Sequence, residues 1–322
     1  MPLASIRSLV QSDLAATDDF ICTELRSEIP FINELIEYIL KAGGKRIRPL
    51  LVLLTARAFD HQDKKHIDLA AAIELIHTAT LLHDDVVDSS TLRRGHKTAN
   101  NIWGNEASVL VGDFLYSRAF QLIVKLKNLE ILEIFSAATN IIAEGEILQL
   151  LNCHDPDTTE NAYFEVIQRK TAKLFEVATQ TGAALSTYSA SQMKAMQEYG
   201  MQLGIAYQLI DDAMDYHSSA EEMGKNIGND LSEGKPTLPL IHALRKGTKA
   251  EVKLIRNAIK TGSSKKLDSI ISIIESTGAI EYTANAAKQH ALNAQATLTH
   301  IPESPYRQAL HDLSEFVVAR SY

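Results

Sequence analysis

The chain has 322 residues, of which 45% are hydrophobic, and this is enough for a sizeable buried core. Its formal net charge of -8 argues against a general nucleic-acid binder, so we expect no nucleic-acid partner. The two cysteines, Cys22 and Cys153, lie far apart, which argues against a disulfide framework and is typical of a reducing, cytoplasmic location.

The N-terminal residues lack the apolar stretch of a signal peptide, and no uninterrupted apolar run approaches the roughly 18 residues that span a bilayer. We therefore expect a soluble protein. Glycine (15) and proline (8) are scarce, and alternating β-type segments are nearly absent, which favours long helices with short connections. The expected fold is an all-α helical bundle that forms one domain over residues 1–322.

Helical periodicity recurs from Phe31 onwards. The predicted helices are Phe31–Lys41, Pro49–Phe59, Ile67–Asp88, Ala107–Lys125, Glu130–Leu151, Glu160–Leu185, Ser191–Tyr216, Pro239–Arg245, Ala250–Lys260, Lys265–Ser276, Ile280–Leu298 and Pro305–Ser321. Pro49 fits a first helical turn, where its missing N–H is not needed.

The first candidate motif along the chain is the glycine-led turn GGKRIRP, residues Gly43–Pro49. Glycine lets the backbone approach a phosphate closely, and the N-terminus of the following helix favours anions. The turn is not a P-loop, because the GxxxxGK[ST] pattern is absent. Lys45 and Arg48 are candidate anion-binding residues, although most lysines and arginines are simply solvated.

The next motif, Asp84-Asp85-Val86-Val87-Asp88, is a DDxxD cluster in an apolar helix. Residues seven and eleven apart on a helix share a face, so His77, Asp84 and Asp88 form one stripe, with Thr80 close to it and Asp85 to the side. Carboxylates in such a place are costly unless a cation neutralises them. The alternative is a solvated acidic helix end, with His77 as an ordinary hydrogen-bonded core residue.

Arg93 and Arg94 follow directly in the segment TLRRGH. Paired arginines beside aspartates could form a plain salt-bridge network. They could equally clamp an anion, because a guanidinium group matches two phosphate oxygens with its planar fork.

A second DDxxD cluster, Asp211-Asp212-Ala213-Met214-Asp215, repeats the pattern, and Gln208 shares its helix face. If the two apolar helices that carry these clusters face each other, they form a cleft with carboxylates at its mouth and apolar side chains below. Such a cleft suits a ligand with a diphosphate head and an apolar tail. Mg²⁺ is the expected cofactor, because a few carboxylates hold it and substrate phosphates complete its coordination. Further basic segments contain Lys170, Lys225 and Lys235.

These motifs, in this order, resemble the trans-isoprenyl (polyprenyl) diphosphate synthase family over nearly the whole chain. The segments that carry the resemblance are GGKRIRP, ELIHTATLLHDDVVD, LRRG, VLVGDFLYSRAF, AEGEILQL, KTAKLF, YQLIDDAMDY and GKNIGNDLSEGKPTLPL. Among subfamilies, HTATLLHDDVVD, SVLVGDFLYSRAFQ and AEGEILQLLN are most similar to bacterial octaprenyl diphosphate synthases. The resemblance implies an isoprenoid-synthase bundle around a central hydrophobic cavity, active as a homodimer.

The resemblance also implies an activity and a role for each motif residue. The activity is the magnesium-dependent condensation of farnesyl diphosphate, as the allylic primer, with successive isopentenyl diphosphate units to octaprenyl diphosphate, the ubiquinone side-chain precursor. Roughly three Mg²⁺ ions would be held by Asp84, Asp88, Asp211 and Asp215, assisted by Asp85 and Asp212. The allylic diphosphate would contact Arg93, Lys170, Lys225 and Lys235, beside Thr171 and Gln208, which would line the carbocation space. Isopentenyl diphosphate would contact Lys45, Arg48, His77 and Arg94.

Product length is expected to depend on the depth of the cavity. In this family, bulky aromatics just upstream of the first DDxxD block the growing tail, whereas here Ala79 and Thr80 are small. That favours a long product over a farnesyl or geranylgeranyl product, while heptaprenyl and nonaprenyl products stay open. Leu122 or Ile123 is the hypothetical cavity floor, although both could be ordinary core residues.

Three other functions compete with prenyl elongation. A class I terpene cyclase normally has an NSE/DTE second motif, whereas a second DDxxD stands here. A non-catalytic subunit of a heteromeric synthase typically loses its aspartates, and a purely structural bundle has no need of them. Release of an apolar product also suggests a transient membrane contact.

Overall fold

The computed structural model describes residues 2–41, 43–217 and 227–319, and these residues are almost entirely helical. The first half comprises α1 (Leu3–Ser8), α2 (Gln11–Glu24), α3 (Pro30–Lys41), α4 (Ile47–Ala58), α5 (Lys65–Val87), α6 (Ala99–Trp103), α7 (Asn105–Lys125) and α8 (Leu129–Asn152). The second half comprises α9 (Glu160–Ile167), α10 (Lys173–Ala184), α11 (Ala190–His217), α12 (Asn229–Ser232), α13 (Leu238–Lys246), α14 (Lys249–Thr261), α15 (Leu267–Ser276), α16 (Ala279–Thr297) and α17 (Pro305–Ala319). The all-α prediction is confirmed.

The described residues contain one short β-hairpin, with two residues in each strand. Its strands β1 (Leu92–Arg93) and β2 (His96–Lys97) pair antiparallel directly after α5. Arg94, at the turn, has a positive φ of 53°. The hairpin therefore holds the paired arginines close to the end of the helix that carries the first DDxxD cluster.

Helix α4 lies at the centre of the bundle. All of its residues are buried except Arg48 and Arg57. A helix that is apolar all round must be surrounded by other helices, and each fully buried Leu or Val contributes roughly 1.5–3 kcal/mol to stability. The side chains of the two arginines extend from the core to polar partners: Arg57 contacts α2, and Arg48 contacts His77 of α5.

The sequence pattern predicts no helix before Phe31, whereas the structure has α1 and α2 there. Helix α2 has only a weak apolar stripe, so its periodicity carries little information. Its place depends on tertiary ion pairs: Asp13 accepts two 2.8 Å hydrogen bonds from Arg57, and Asp18 lies 3.6 Å from Arg46.

Two predicted helices differ from the observed ones in an informative way. The helix expected to start at Pro49 begins at Ile47, because Arg46 adopts a left-handed conformation with φ of 47° and ends the preceding turn. The predicted helix Glu160–Leu185 is interrupted by a π-helical segment at Gln168–Ala172. π-Helical turns of this kind are frequent at functional sites.

Of the described helices, α7 alone is long and apolar enough, by length and composition, to cross a membrane. In the folded chain 39% of its apolar window is buried. Helices α7 and α8 are consecutive, and together they present an exposed apolar face. We define this face by Val109, Leu110, Val124, Leu129, Ile147, Leu150 and Leu151.

Candidate functional site

The two DDxxD clusters lie at the C-terminal ends of two long helices. The first occupies the last turn of α5, where Asp88 is the C-cap, and the second occupies the last turns of α11. The C-terminal end of a helix carries partial negative charge, so each carboxylate there costs about 0.3–1 kcal/mol unless it is neutralised. Carboxylates placed at the negative end of a helix dipole destabilise the fold, and such unfavourable placements are typical of functional residues.

The residues of the predicted stripe on α5 are all partly exposed. Between Leu69 and Ala79 only His77 is half-buried rather than fully buried, and further along Thr80, Asp84 and Asp88 are half-buried as well. The stripe therefore opens from the apolar core towards an acidic end, as the sequence spacing predicts.

Three cations from three different segments of the chain neutralise the first cluster. Arg93 of β1 donates to Asp85 at 2.7 and 2.9 Å, and Lys235 lies 2.7 Å from Asp88. Lys170 of the π-helical segment lies 3.5 Å from Asp84. Burial opposes the charged form of Lys170, but Asp84 and Glu146 outweigh burial and raise the pKa of its ammonium group. The structure thus unites the first cluster with three of its predicted basic partners.

The π-helical segment connects the two acidic clusters. Lys170 contacts Asp84 of α5, and its neighbour Thr171 donates a 3.0 Å hydrogen bond to Gln208 of α11. Two glycines make room for this segment: a Cβ on Gly145 would lie 2.6 Å from the Lys170 backbone nitrogen, and one on Gly204 would lie 2.5 Å from the Ala172 Cα. Both DDxxD helices therefore meet at one site.

The second cluster is more deeply buried than the first. Asp212 is 2% exposed and accepts hydrogen bonds from Gln208 at 2.7 Å and from Tyr163 at 2.5 Å. Burial raises the pKa of Asp212 well above its usual range, and the two hydrogen bonds oppose that rise. Asp215 is also buried and accepts the backbone N–H of Asp230 at 3.1 Å.

The isopentenyl diphosphate residues predicted from the resemblance gather around α4 and the hairpin. Arg48 stacks over the Phe175 ring at 4.6 Å and lies 3.2 Å from His77 Nε2. Burial, followed by Arg48 and Arg94, lowers the pKa of His77 well below its usual range, so the ring is neutral and accepts this hydrogen bond. Arg94 donates to the Gly43 carbonyl, which draws the hairpin against the glycine-led turn.

Sequence reasoning missed Glu146 and Gln149 of α8, although both stand in the segment AEGEILQL. Their side chains hold Lys170 directly, Gln149 at 2.8 Å and Glu146 in a shorter contact. Burial and the neighbouring Asp84 carboxylate raise the pKa of Glu146 to about 7. Tyr163 was also missed, and no motif in the sequence points to it.

The remaining predicted residues differ in their placement. Lys45 is exposed at the glycine-led turn, and Lys225 lies outside the described residues. Ala79 is fully buried in the main hydrophobic core, as are Leu122 and Ile123 near the end of α7. Thr80, the other small residue, is half-buried on the stripe.

The donor set fits a hard divalent cation. Carboxylate oxygens are the ligands that Mg²⁺ prefers, and here six carboxylates stand at two helix C-termini, where the helix dipole adds partial negative charge. The raised pKa values of Glu146 and Asp212 have the same origin in burial beside other carboxylates. Lys170 and Lys235 neutralise part of this charge through their contacts with Asp84 and Asp88.

Comparison with known proteins gives a consistent result. The polyprenyl synthetase family profile matches residues 29–276. The chain belongs to the polyprenyl synthetase family. It is 48% identical over 321 residues to an octaprenyl diphosphate synthase of Escherichia coli, covering 99% of both chains. It is 46% identical over 312 residues to an all-trans-nonaprenyl-diphosphate synthase (geranyl-diphosphate specific) of Rhodobacter capsulatus, covering 97% of this chain and 96% of the relative.

A solved polyprenyl synthase from Caulobacter crescentus, complexed with calcium and isoprenyl diphosphate, superposes with a TM-score of 0.96. Its sequence is 41% identical, and the match covers 100% of this chain and 98% of that one. As a polyprenyl synthetase, the protein is a prenyltransferase with the isoprenoid-synthase fold. The structural-bundle and cyclase interpretations are thereby removed.

Proposed function

We propose that the protein is an octaprenyl diphosphate synthase that extends an allylic diphosphate by successive isopentenyl diphosphate units. The observation that carries the proposal is the contact of one π-helical segment with both acidic helices, through Lys170 to Asp84 and through Thr171 to Gln208. This arrangement, a cation and a dipolar pair in contact with both acidic helices, supports the proposal that the two helices hold a metal–diphosphate complex between them.

In the proposed complex, the allylic diphosphate lies among Arg93, Lys170 and Lys235, and Lys225 is assigned there by resemblance alone. Asp84, Asp88, Asp211 and Asp215 would hold Mg²⁺. The bound metal would neutralise the leaving diphosphate, which favours ionisation of the allylic C–O bond. Isopentenyl diphosphate would lie against Arg48, His77 and Arg94, with Lys45 at the rim.

The protein's own side chains then control the reaction. Lys170 leaves its carboxylate partners to donate to the diphosphate oxygens, which stabilises the departing anion. The oxygens of Thr171 and Gln208 face the developing allylic cation. The isopentenyl double bond attacks this cation, a C–C bond forms, and the proton lost from the new cation passes to the released pyrophosphate. The apolar lower cleft excludes water, which would otherwise convert the cation to an alcohol.

Prenyl transfer is tested by pyrophosphate release. The purified protein should release pyrophosphate only when farnesyl diphosphate, isopentenyl diphosphate and Mg²⁺ are all present, and EDTA should abolish the release. Release from farnesyl diphosphate alone, at the same rate as with both substrates, would contradict elongation.

The product length is a separate part of the proposal. The 48% identity to an octaprenyl synthase and the small residues Ala79 and Thr80 both favour a forty-carbon product. A forty-five-carbon product is the main rival, because the 46% identical relative is a nonaprenyl synthase. Leu122 and Ile123 are the proposed floor of the cavity.

We further propose a homodimer that buries the exposed apolar face of α7 and α8. Leu110 is 66% exposed and Leu151 is 70% exposed, so contact with a second copy would remove both from water. Replacement of both by arginine should yield monomers in light scattering at micromolar concentration. Leu292→Arg, on α16 outside this face and 48% exposed, is the matched control and should stay dimeric. A monomeric wild-type protein would contradict the proposal.

The expected membrane contact is proposed to use the basic side of α14. Lys249, Lys253 and Lys260 lie on one helix side at spacings of four and seven residues, together with Arg256, which pairs with Asp157. A lysine near an anionic lipid surface contributes about 1 kcal/mol of binding free energy. These lysines of α14 would therefore hold the protein at the membrane surface that receives the polyprenyl product.

This contact is tested by co-sedimentation with vesicles. The wild-type protein should bind vesicles that contain phosphatidylglycerol but not vesicles of phosphatidylcholine alone. Changing all three lysines to glutamine should weaken binding at least tenfold. A control variant with Lys64, Lys194 and Lys288 changed to glutamine has the same net charge and should bind like wild type. Equal loss in both variants would contradict a specific docking side.

A further inference from the structure

Tyr163 is a buried residue of the site that belongs to none of the motifs. It lies on α9, it is 5% exposed, and its hydroxyl donates a 2.5 Å hydrogen bond to Asp212 Oδ2. Burial, followed by the charge of Asp212, raises the pKa of Tyr163 well above its usual range, so the phenol stays protonated as a donor. The tyrosine therefore contacts the second acidic cluster from a different helix, α9.

The hydrogen bonds of Asp212 fix its orientation. Its Oδ2 accepts from Tyr163, and its Oδ1 accepts from Gln208 Nε2 at 2.7 Å. With both oxygens engaged in a 2% exposed position, this carboxylate orients neighbouring groups more readily than it binds a metal. Asp212 thus differs from Asp84 and Asp88, whose partners are the lysine side chains of Lys170 and Lys235.

The same contacts decide which end of the Gln208 amide faces the cleft. The amide turns its NH₂ group towards Asp212 Oδ1 and its oxygen towards the Thr171 hydroxyl. The Thr171 hydroxyl must then donate to that oxygen, at 3.0 Å. Its proton is directed at Gln208, so the lone pairs of the Thr171 oxygen are left to face the cleft.

We propose that Tyr163 is a positioning residue that acts through Asp212 and Gln208 to direct the Thr171 oxygen at the allylic cation. The inference rests on the proposed function, because the cation is the species that an oriented oxygen dipole would stabilise. Tyr163 itself does not touch substrate. Without its hydroxyl, Asp212 Oδ2 loses its donor and the carboxylate is free to turn, which releases the amide and the threonine from their fixed directions.

The competing interpretation is that the Tyr163 hydroxyl only stabilises the fold. The chain offers a matched control in Tyr199, which is fully buried on α11 and donates a 2.6 Å hydrogen bond to the Leu310 carbonyl, away from the site. Tyr163→Phe and Tyr199→Phe each remove one buried phenol hydroxyl. Comparable losses of stability are therefore expected for both variants.

The test measures kcat and KM for elongation of farnesyl diphosphate in both variants. Tyr163→Phe should lower kcat about 10- to 100-fold with each KM within about threefold of wild type, because an interaction made only in the transition state is lost. Tyr199→Phe should keep kcat within about twofold. The midpoint of Mg²⁺ activation should not move in either variant, because the proposed ligands Asp84, Asp88, Asp211 and Asp215 are untouched.

A double-mutant cycle with Thr171→Val separates positioning from a general effect. If Tyr163 acts through Thr171, Tyr163→Phe should cost little further activity once the threonine hydroxyl is absent. An equal fold-loss in both backgrounds would overturn the inference, as would a kcat of Tyr163→Phe within twofold of wild type. A wild-type protein that does not elongate would overturn the proposed function and the inference together, whereas an active wild type with an unaffected variant overturns only the inference.

Discussion

Asp84→Ala is expected to lower kcat by roughly 10³-fold or more, the largest effect of any single substitution that we propose. Asp84 stands at the C-terminal end of α5 and contacts Lys170, so it is both a proposed Mg²⁺ ligand and the partner of a proposed diphosphate cation. Without it, one metal position loses its carboxylate, and Lys170 is held by Glu146 and Gln149 alone. The measurement is steady-state elongation at saturating Mg²⁺.

The fold should survive this substitution. Asp84 is half-buried at a helix C-terminus, and removing a carboxylate from the negative end of the dipole offsets part of the lost ion pair. The matched control is Asp157→Ala, which breaks the surface pair with Arg256 and should leave kcat within about twofold. A loss in both variants, or a parallel loss of melting temperature and activity in Asp84→Ala, would contradict a metal-binding role.

Thr80→Phe is expected to shorten the dominant product to fifteen or twenty carbons. Thr80 is half-buried on the stripe of α5, about one helical turn from Asp84, so a phenyl ring there would extend into the proposed path of the tail. The enzyme should still perform the early condensations, because the acidic cluster and its cations are unchanged. The measurement is the chain-length distribution of the dephosphorylated products.

Thr80→Val is the control, because it keeps nearly the same shape and should keep the wild-type product length. Long products from an active Thr80→Phe variant would show that the tail passes elsewhere. Ala79 is a poorer place for the same test, since it is fully buried and a phenylalanine would overpack the core at a cost of about 1–3 kcal/mol. In the same assay, Leu122→Ala and Ile123→Ala should lengthen the product if these residues form the cavity floor.

Much of the architecture follows from local rules that the sequence obeys. The all-α class follows from the periodicity and the scarcity of glycine and proline, and the stripe of His77, Asp84 and Asp88 follows from spacings of seven and eleven. For the two arginines of the LRRG segment, the sequence allows either a salt-bridge network with the acidic cluster or a clamp for an anion. Arg93 pairs with Asp85, whereas Arg94 contacts the glycine-led turn.

The parts that sequence reasoning missed depend on contacts between distant segments. Tyr163 and Asp212 are 49 positions apart, and neither α9 nor α11 carries a local pattern that predicts their hydrogen bond. The π-helical turn around Lys170 is stabilised by the close approach of Gly145 and Gly204, which belong to other helices. Helix α2 likewise depends on ion pairs to Arg57 and Arg46 more than on its own pattern.

The most direct test of the central claim is the chain length made by the wild-type protein. Purified protein would be incubated with Mg²⁺, farnesyl diphosphate and labelled isopentenyl diphosphate, and the dephosphorylated products separated by length. A dominant forty-carbon product is the predicted result. A dominant fifteen- or twenty-carbon product would contradict the open cavity inferred at Thr80, and no elongation by folded protein would contradict the proposed activity itself.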